Sequence, residues 1–217
     1  MAHPQSPRIK IFVADDHEVV CLGLRALFDK TPDINLEDQA SDGHELLKKI
    51  NSRKCNLLLY EIGIPGPDGL DILKKIRAEK PELPVLIFSC LPEEQHGLRY
   101  IRAGAAGYLP KTFPANQLIE AIRTVSQGRK YISPSLAEKL ANNLETDSEK
   151  PLHHSLSDRE FQVFCMIASG KTVSEIAREL SLSVPTISTY RTRILEKMKL
   201  KNNSQLTHYA ATNGLIG

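Results

Sequence analysis

Nowhere does the 217-residue chain approach the roughly 18 consecutive apolar residues that a membrane span requires, so no transmembrane helix is expected. The opening residues, Met1 to Lys10, hold Pro4 and Pro7 but lack the apolar stretch of a secretory signal, which makes the cytoplasm the expected compartment. The four cysteines, Cys21, Cys55, Cys90 and Cys165, stand far apart with no C-x-x-C pair. That spacing excludes a disulfide framework or a zinc site and leaves buried thiols in a reducing environment. Twelve glycines and thirteen prolines fall well short of a low-complexity excess. An excess of one charge sign is missing too: 28 basic and 26 acidic residues leave a formal net charge of +2.

Hydrophobic residues at 41% and charged residues at 25% suit a globular protein. The length exceeds a usual domain of about 100–150 residues and predicts two compact units. Charge is spread unevenly between them. Before Pro151 there are 20 basic and 21 acidic residues, and from Pro151 onward 8 and 5, so the two parts carry −1 and +3. Between Val184 and Lys201, Arg191, Arg193, Lys197, Lys199 and Lys201 stand against Glu196 alone. Such a cluster suits a phosphate backbone, although a solvated helix face has the same composition.

From Lys10 to Gly128 a short apolar run, a polar turn and an amphipathic stretch repeat, the pattern of βα units around a parallel sheet. The predicted strands are Ile9 to Ala14, Ile34 to Ala40, Leu57 to Ile62, Val85 to Ser89 and Gly107 to Leu109. Five helices alternate with them, the last bearing Leu118, Ile119, Ile122 and Val125 and stopping at Gly128. A further helix opens at Ser133-Pro134, and a polar, proline-broken linker follows over Leu144 to Ser155. Four helices then crowd into the remaining sixty or so residues. The second and third, Thr172 to Leu180 and Val184 to Met198, are joined by a tight turn, which predicts a helix-turn-helix.

Functional groups of an open parallel sheet collect beyond the carboxyl ends of its strands. There the sequence places Asp15, Asp16, Glu61, Ser89 and Lys111. Three carboxylates with an ammonium and a hydroxyl suit a hard cation such as Mg²⁺, while Asp15 and Asp16 taken alone are equally able to cap the first helix.

The segments Val13-Ala14-Asp15-Asp16-His17, Leu57 to Gly69 and Ala103-Gly104-Ala105-Ala106-Gly107-Tyr108-Leu109-Pro110-Lys111 together resemble the receiver of a NarL/FixJ-type response regulator. The resemblance implies a flavodoxin-like, doubly wound sheet of five parallel strands in the order 2-1-3-4-5, an α/β fold over residues 8–130. It implies an acidic Mg²⁺ pocket of Asp15, Asp16 and the Gly63 carbonyl, switch residues Ser89 and Tyr108, a phosphate-pairing Lys111 and a histidine kinase as partner. One position departs. Glu61 stands at the phosphoacceptor position, where the family carries Asp, and its extra methylene misplaces the carboxylate for in-line attack. The expected behaviour is phosphorylation-independent. A natural loss of control, a built-in phosphomimic and an engineered Asp-to-Glu phosphomimic of a conventional phosphorelay regulator all fit the residue.

The helix and linker of 131–155 lead to a second, small all-α unit over 156–217. Its Leu156-Ser157-Asp158-Arg159-Glu160, Gly170 to Ala177 and Val184 to Arg193 resemble LuxR-type helix-turn-helix domains. Thr172 and Glu175 have capping-box spacing, and Pro185 suits a first helical turn. The expected DNA-binding residues are Lys171, Thr172, Ser188, Thr189, Tyr190, Arg191, Thr192, Arg193, Lys197 and Lys201. Tyr190 competes as a core-edge aromatic, and Arg159 with Glu160 is expected to form a structural ion pair. Leu206, Tyr209 and Ala210 can close the core or form a dimer seam; the resemblance implies both and assigns them to dimerisation, the homodimer reading an inverted repeat in double-stranded promoter DNA.

The leading expectation is thus a DNA-binding transcriptional regulator and not an enzyme. A Mg²⁺-dependent phosphohydrolase is the alternative, but it needs a nucleophilic Asp-x-Asp arrangement and leaves the basic helix idle. An interaction protein without DNA binding leaves Arg191 and Arg193 unexplained.

Overall fold

A computed structural model describes residues 8–144 and 151–216, and the chain divides into two compact units, Met1–Thr146 and Asp147–Gly217. In the first, five parallel strands, β1 (Ile9–Ala14), β2 (Ile34–Ala40), β3 (Leu57–Tyr60), β4 (Val85–Ser89) and β5 (Gly107–Pro110), pair in the order β2-β1-β3-β4-β5. The helices between and after them are α1 (Glu18–Asp29), α2 (Gly43–Lys49), α3 (Gly69–Glu79), α4 (Glu93–Arg102), α5 (Ala115–Ser126) and α6 (Pro134–Leu144).

Alternation along each strand divides the core in two. Phe12, Ala14, Leu58, Tyr60 and Ile87 face the cluster that Leu46, Ile72, Leu73, Ile76 and Tyr100 complete from α2, α3 and α4. Ile11, Val13, Leu57, Leu59 and Leu86 face the opposite cluster, closed by Leu24 and Phe28 of α1 and by Leu118, Ile122 and Val125 of α5. Burial on both faces explains why these strands read as continuous apolar runs, and each such side chain contributes about 1.5–3 kcal/mol. Edge strand β2 alternates instead, with Asn35, Glu37 and Gln39 exposed.

Around the ends of β1 and β3 the structure differs from expectation. β3 ends at Tyr60, two residues early, because Glu61 leaves the ladder to turn its side chain inward after its N–H has bonded the Ala14 carbonyl at 2.8 Å. Asp15 and Asp16 do not cap α1: His17 occupies that position, and no side chain bonds the free N–H groups. α6 packs on the first unit through buried Leu136, and Ser133 Oγ, which accepts the Leu136 N–H, donates to Glu93 Oε2 of α4 at 2.6 Å.

The second unit holds α7 (Asp158–Ala168), α8 (Val173–Glu179), α9 (Val184–Lys197) and α10 (Asn203–Thr212) around Phe161, Phe164, Ile176, Ile187, Ile194, Met198 and Leu206. Capping boxes Ser157/Glu160 and Thr172/Glu175 start α7 and α8. Of the expected linker, residues 145–150 lie outside the described residues, while Leu152–Ser155 form a 3-10 turn whose His153 Nδ1 lies 2.9 Å from the Tyr209 hydroxyl.

Two glycines give opposite expectations. A Cβ on Gly107 would lie 2.7 Å from the Tyr131 carbonyl oxygen and 2.9 Å from Leu86 Cδ1, whereas one on Gly23, in the middle of α1, meets nothing within 4 Å. Urea unfolding should show Gly107→Ala destabilising the first unit by about 1–3 kcal/mol and Gly23→Ala stabilising it by about 0.5–1 kcal/mol. Equal effects at both positions would contradict the packing.

Candidate functional site

The strand order reverses at β1, so the crevice at the carboxyl ends of β1 and β3 is where a ligand binds in such a sheet. Asp15 follows β1, Glu61 follows β3, Ser89 ends β4 and Lys111 follows β5. The fold brings all four together. Lys111 Nζ lies 2.6 Å from Asp15 Oδ2 and 2.9 Å from Glu61 Oε2, and the two carboxylate side chains are only 2% exposed.

Glu61 has four donors. Ser89 Oγ and the Gly63 N–H donate to Oε1 at 2.6 and 2.9 Å, while the Cys90 N–H and Lys111 donate to Oε2 at 3.0 and 2.9 Å. Burial alone would raise its pKa, but the Ser89 hydroxyl, Lys111 and the Gly63 N–H outweigh it and hold the group below the usual glutamate value. Burial likewise opposes the Lys111 charge, and Asp15 and Glu61 overcome it to raise that pKa.

The two switch candidates converge on one residue. Ser89 Oγ accepts from the Leu91 N–H at 3.1 Å, and the buried Tyr108 hydroxyl donates to the Leu91 carbonyl at 2.9 Å.

Asp16 is a third of the way exposed and reaches the group through His17, whose Nδ1 lies 3.0 Å from Asp15 Oδ1 and 3.1 Å from Asp16 Oδ1. Sequence reasoning missed His17, although its place directly after the two aspartates was the available signal. It also missed the Gly63 and Cys90 backbone donors, which no residue type announces. Asp15, His17 and Glu61 bring ligand atoms within 4.8 Å of one another. Three carboxylates against Lys111 leave two negative charges, and the oxygen donors of Asp15 and Asp16 fit a hard divalent ion. Gly63, expected to offer its carbonyl, also donates its N–H to Glu61 Oε1.

In the second unit α9 presents Ser188, Thr189, Thr192 and Arg193 outward, while Tyr190 is half-buried on the core, its competing role. Several expected DNA contacts are engaged within the unit. Arg191 Nε donates to Asn203 Oδ1 at 2.7 Å, Lys171 pairs with Glu179, and Thr172 caps α8. Lys201 is exposed and its N–H donates to Gln205. Lys197 pairs with buried Glu160, which corrects the expected Arg159–Glu160 pair: residues adjacent on a helix point apart, and Arg159 bonds Gln162 instead. Leu206 and Ala210 are fully buried in the core of their own unit, so they do not form a dimer seam, and Tyr209 is held by His153.

The pocket charges set a pH window. Glu61, lowered on folding, favours the fold above the usual glutamate value of about 4.3, and that contribution is lost as pH falls through its folded value. Lys111, raised on folding, contributes below about 10.4 and is lost as pH rises through its folded value. Thermal melts of Glu61→Gln should therefore fall below wild type at neutral pH, and the difference should shrink as pH is lowered from the usual glutamate value through the lower folded one. A constant difference across that range would contradict the assignment.

The model of the response regulator receiver domain matches residues 11–123, and that of bacterial regulatory proteins of the luxR family matches residues 154–210. The response regulator GacA of Pseudomonas protegens is 34% identical over 209 residues, covering 96% of this chain and 98% of its own. The transcriptional regulatory protein LiaR of Bacillus subtilis is 33% identical, with 96% and 99% covered, and the response regulator UvrY of Escherichia coli 31%, with 95% of each. Among solved structures, RcsB from Salmonella enterica serovar Typhimurium bound to promoter rprA shares the fold at a TM-score of 0.61 and 22% identity, covering 94% and 98%. The response regulator ChrA of a heme-sensing two-component system gives 0.51 at 28%, covering 97% and 100%. With both units matched and relatives aligned along almost the whole length, the chain belongs to the response regulators that join a receiver domain to a LuxR-family regulatory domain.

Proposed function

We propose that this protein is a DNA-binding transcriptional regulator that works without phosphorylation, its receiver held by Glu61 in the arrangement a phosphoryl group would otherwise impose. The observation that carries the reading is the four-donor grip on the Glu61 carboxylate. A phosphoryl group on a shorter aspartate would need the same hydroxyl, ammonium and backbone N–H groups. Here the extra methylene, about 1.5 Å of reach, delivers a negative group to them directly, and a displacement of about 1 Å is enough to cost in-line attack some 10²-fold.

Mg²⁺, held by Asp15 and Asp16, would neutralise the two charges that Lys111 leaves over. A histidine kinase, the partner expected of a receiver, would dock without an acceptor to modify. No helix among the described residues is long and apolar enough to cross a membrane, in keeping with action in the cytoplasm. The luxR-family match and α9 support binding of double-stranded promoter DNA. A homodimer would set two α9 helices on an inverted repeat, and RcsB dimers bound to DNA supply the precedent. Its seam must use surface other than Leu206 and Ala210. The phosphohydrolase alternative loses its support, because the relatives are response regulators and transcriptional regulators.

Incubation with acetyl phosphate and Mg²⁺ followed by intact-mass measurement should show no adduct, and promoter binding should be the same before and after. Binding should fall steeply with salt, and Arg193→Ala should weaken all sequences alike and reduce the salt slope by about 1. A stoichiometric +80 Da adduct on Glu61 would overturn phosphate independence.

A further inference from the structure

We propose that α9 reads its half-site chiefly through thymine methyl groups and the amino groups of adenine or cytosine, with guanine left to Ser188 alone. This rests on the reading of α9 as the helix that enters the major groove. At 100° per residue, Val184, Pro185, Ser188, Thr189 and Thr192 fall in one arc of about 140°. All five are exposed; Val184, Pro185, Ser188 and Thr189 occupy the N-terminal half of the helix, the part that meets base edges in a helix-turn-helix, and Thr192 lies one turn beyond Ser188 on the same arc. The basic residues of α9 lie outside that arc. Arg191 is turned to Asn203 and Lys197 to Glu160, and Arg193 projects from the flank, where phosphates run.

The two threonines have already donated their protons. Thr189 Oγ1 donates to the Pro185 carbonyl at 3.0 Å and Thr192 Oγ1 to the Ser188 carbonyl at 3.1 Å. A threonine held this way turns its methyl outward and keeps only acceptor lone pairs for a ligand. In the major groove the amino groups of adenine and cytosine are donors that such oxygens satisfy, whereas guanine offers two acceptors that they cannot. Val184, an apolar side chain 46% exposed at the first turn, has no role in the core and suits the thymine methyl. Glu196, further along the same arc, also only accepts.

The test starts from binding sites selected out of random duplex DNA by the full chain. Each thymine is then replaced by deoxyuridine, which lacks the methyl, and each guanine by 7-deazaguanine, which lacks the N7 acceptor. At least one deoxyuridine per half-site should weaken binding about fourfold, the value of one buried methyl group. Val184→Ala or Thr192→Ser should abolish that penalty while leaving the salt slope unchanged, and 7-deazaguanine should weaken binding less than deoxyuridine does, any effect disappearing in Ser188→Ala. Salt-sensitive binding that is indifferent to deoxyuridine but weakened by 7-deazaguanine would overturn this inference alone. Absence of any salt-sensitive binding would overturn the DNA-binding reading beneath it.

Discussion

A single buried ion cluster, Lys111 bridging Asp15 and Glu61, is the constraint on which the first unit turns. Each member comes from the end of a different strand, so the cluster exists only when β1, β3 and β5 are in register. Removing two carboxylates and an ammonium from water is strongly unfavourable, and good geometry with further hydrogen bonds is what offsets it. Ser89, at the end of β4, supplies one such bond, and the Gly63 and Cys90 backbones supply two more. The same set of donors that makes the charge tolerable also occupies the space in which a phosphoryl group would have to be bound. On the function proposed above, stability and independence from phosphate therefore share one physical cause.

Much of this was legible in the residues. Strands buried on both faces announce themselves as apolar runs, and carboxylates placed just beyond such runs predict a pocket. The second unit was legible through its caps, since Thr172 with Glu175 and Pro185 in a first turn fix where α8 and α9 begin. What stayed hidden depends on side-chain direction. A list of residue types does not show that the Gly63 N–H donates to Glu61, nor that His17 turns back onto Asp15. Arg159 and Glu160 look like a pair on paper, but Glu160 points to Lys197, 37 residues away. The apolar positions of α10 suit a core and a seam alike, and only their complete burial separates the two.

Electrostatics divide the labour in the second unit as well. Its net positive charge suggests that recognition rests on lysine and arginine, yet Lys171, Arg191 and Lys197 are tied to partners within the fold. On the reading proposed for α9, cations on the flanks would set affinity and its salt dependence, and the hydroxyl and methyl arc would set sequence preference.

Everything at the strand ends depends on Glu61 being an ionised, fully hydrogen-bonded carboxylate at rest. A ¹³C-carboxyl NMR titration of glutamate-labelled protein tests it most directly. Glu61 should titrate below the usual glutamate value and return toward it in Ser89→Ala. A pKa raised above it, as burial without partners would produce, would contradict the account.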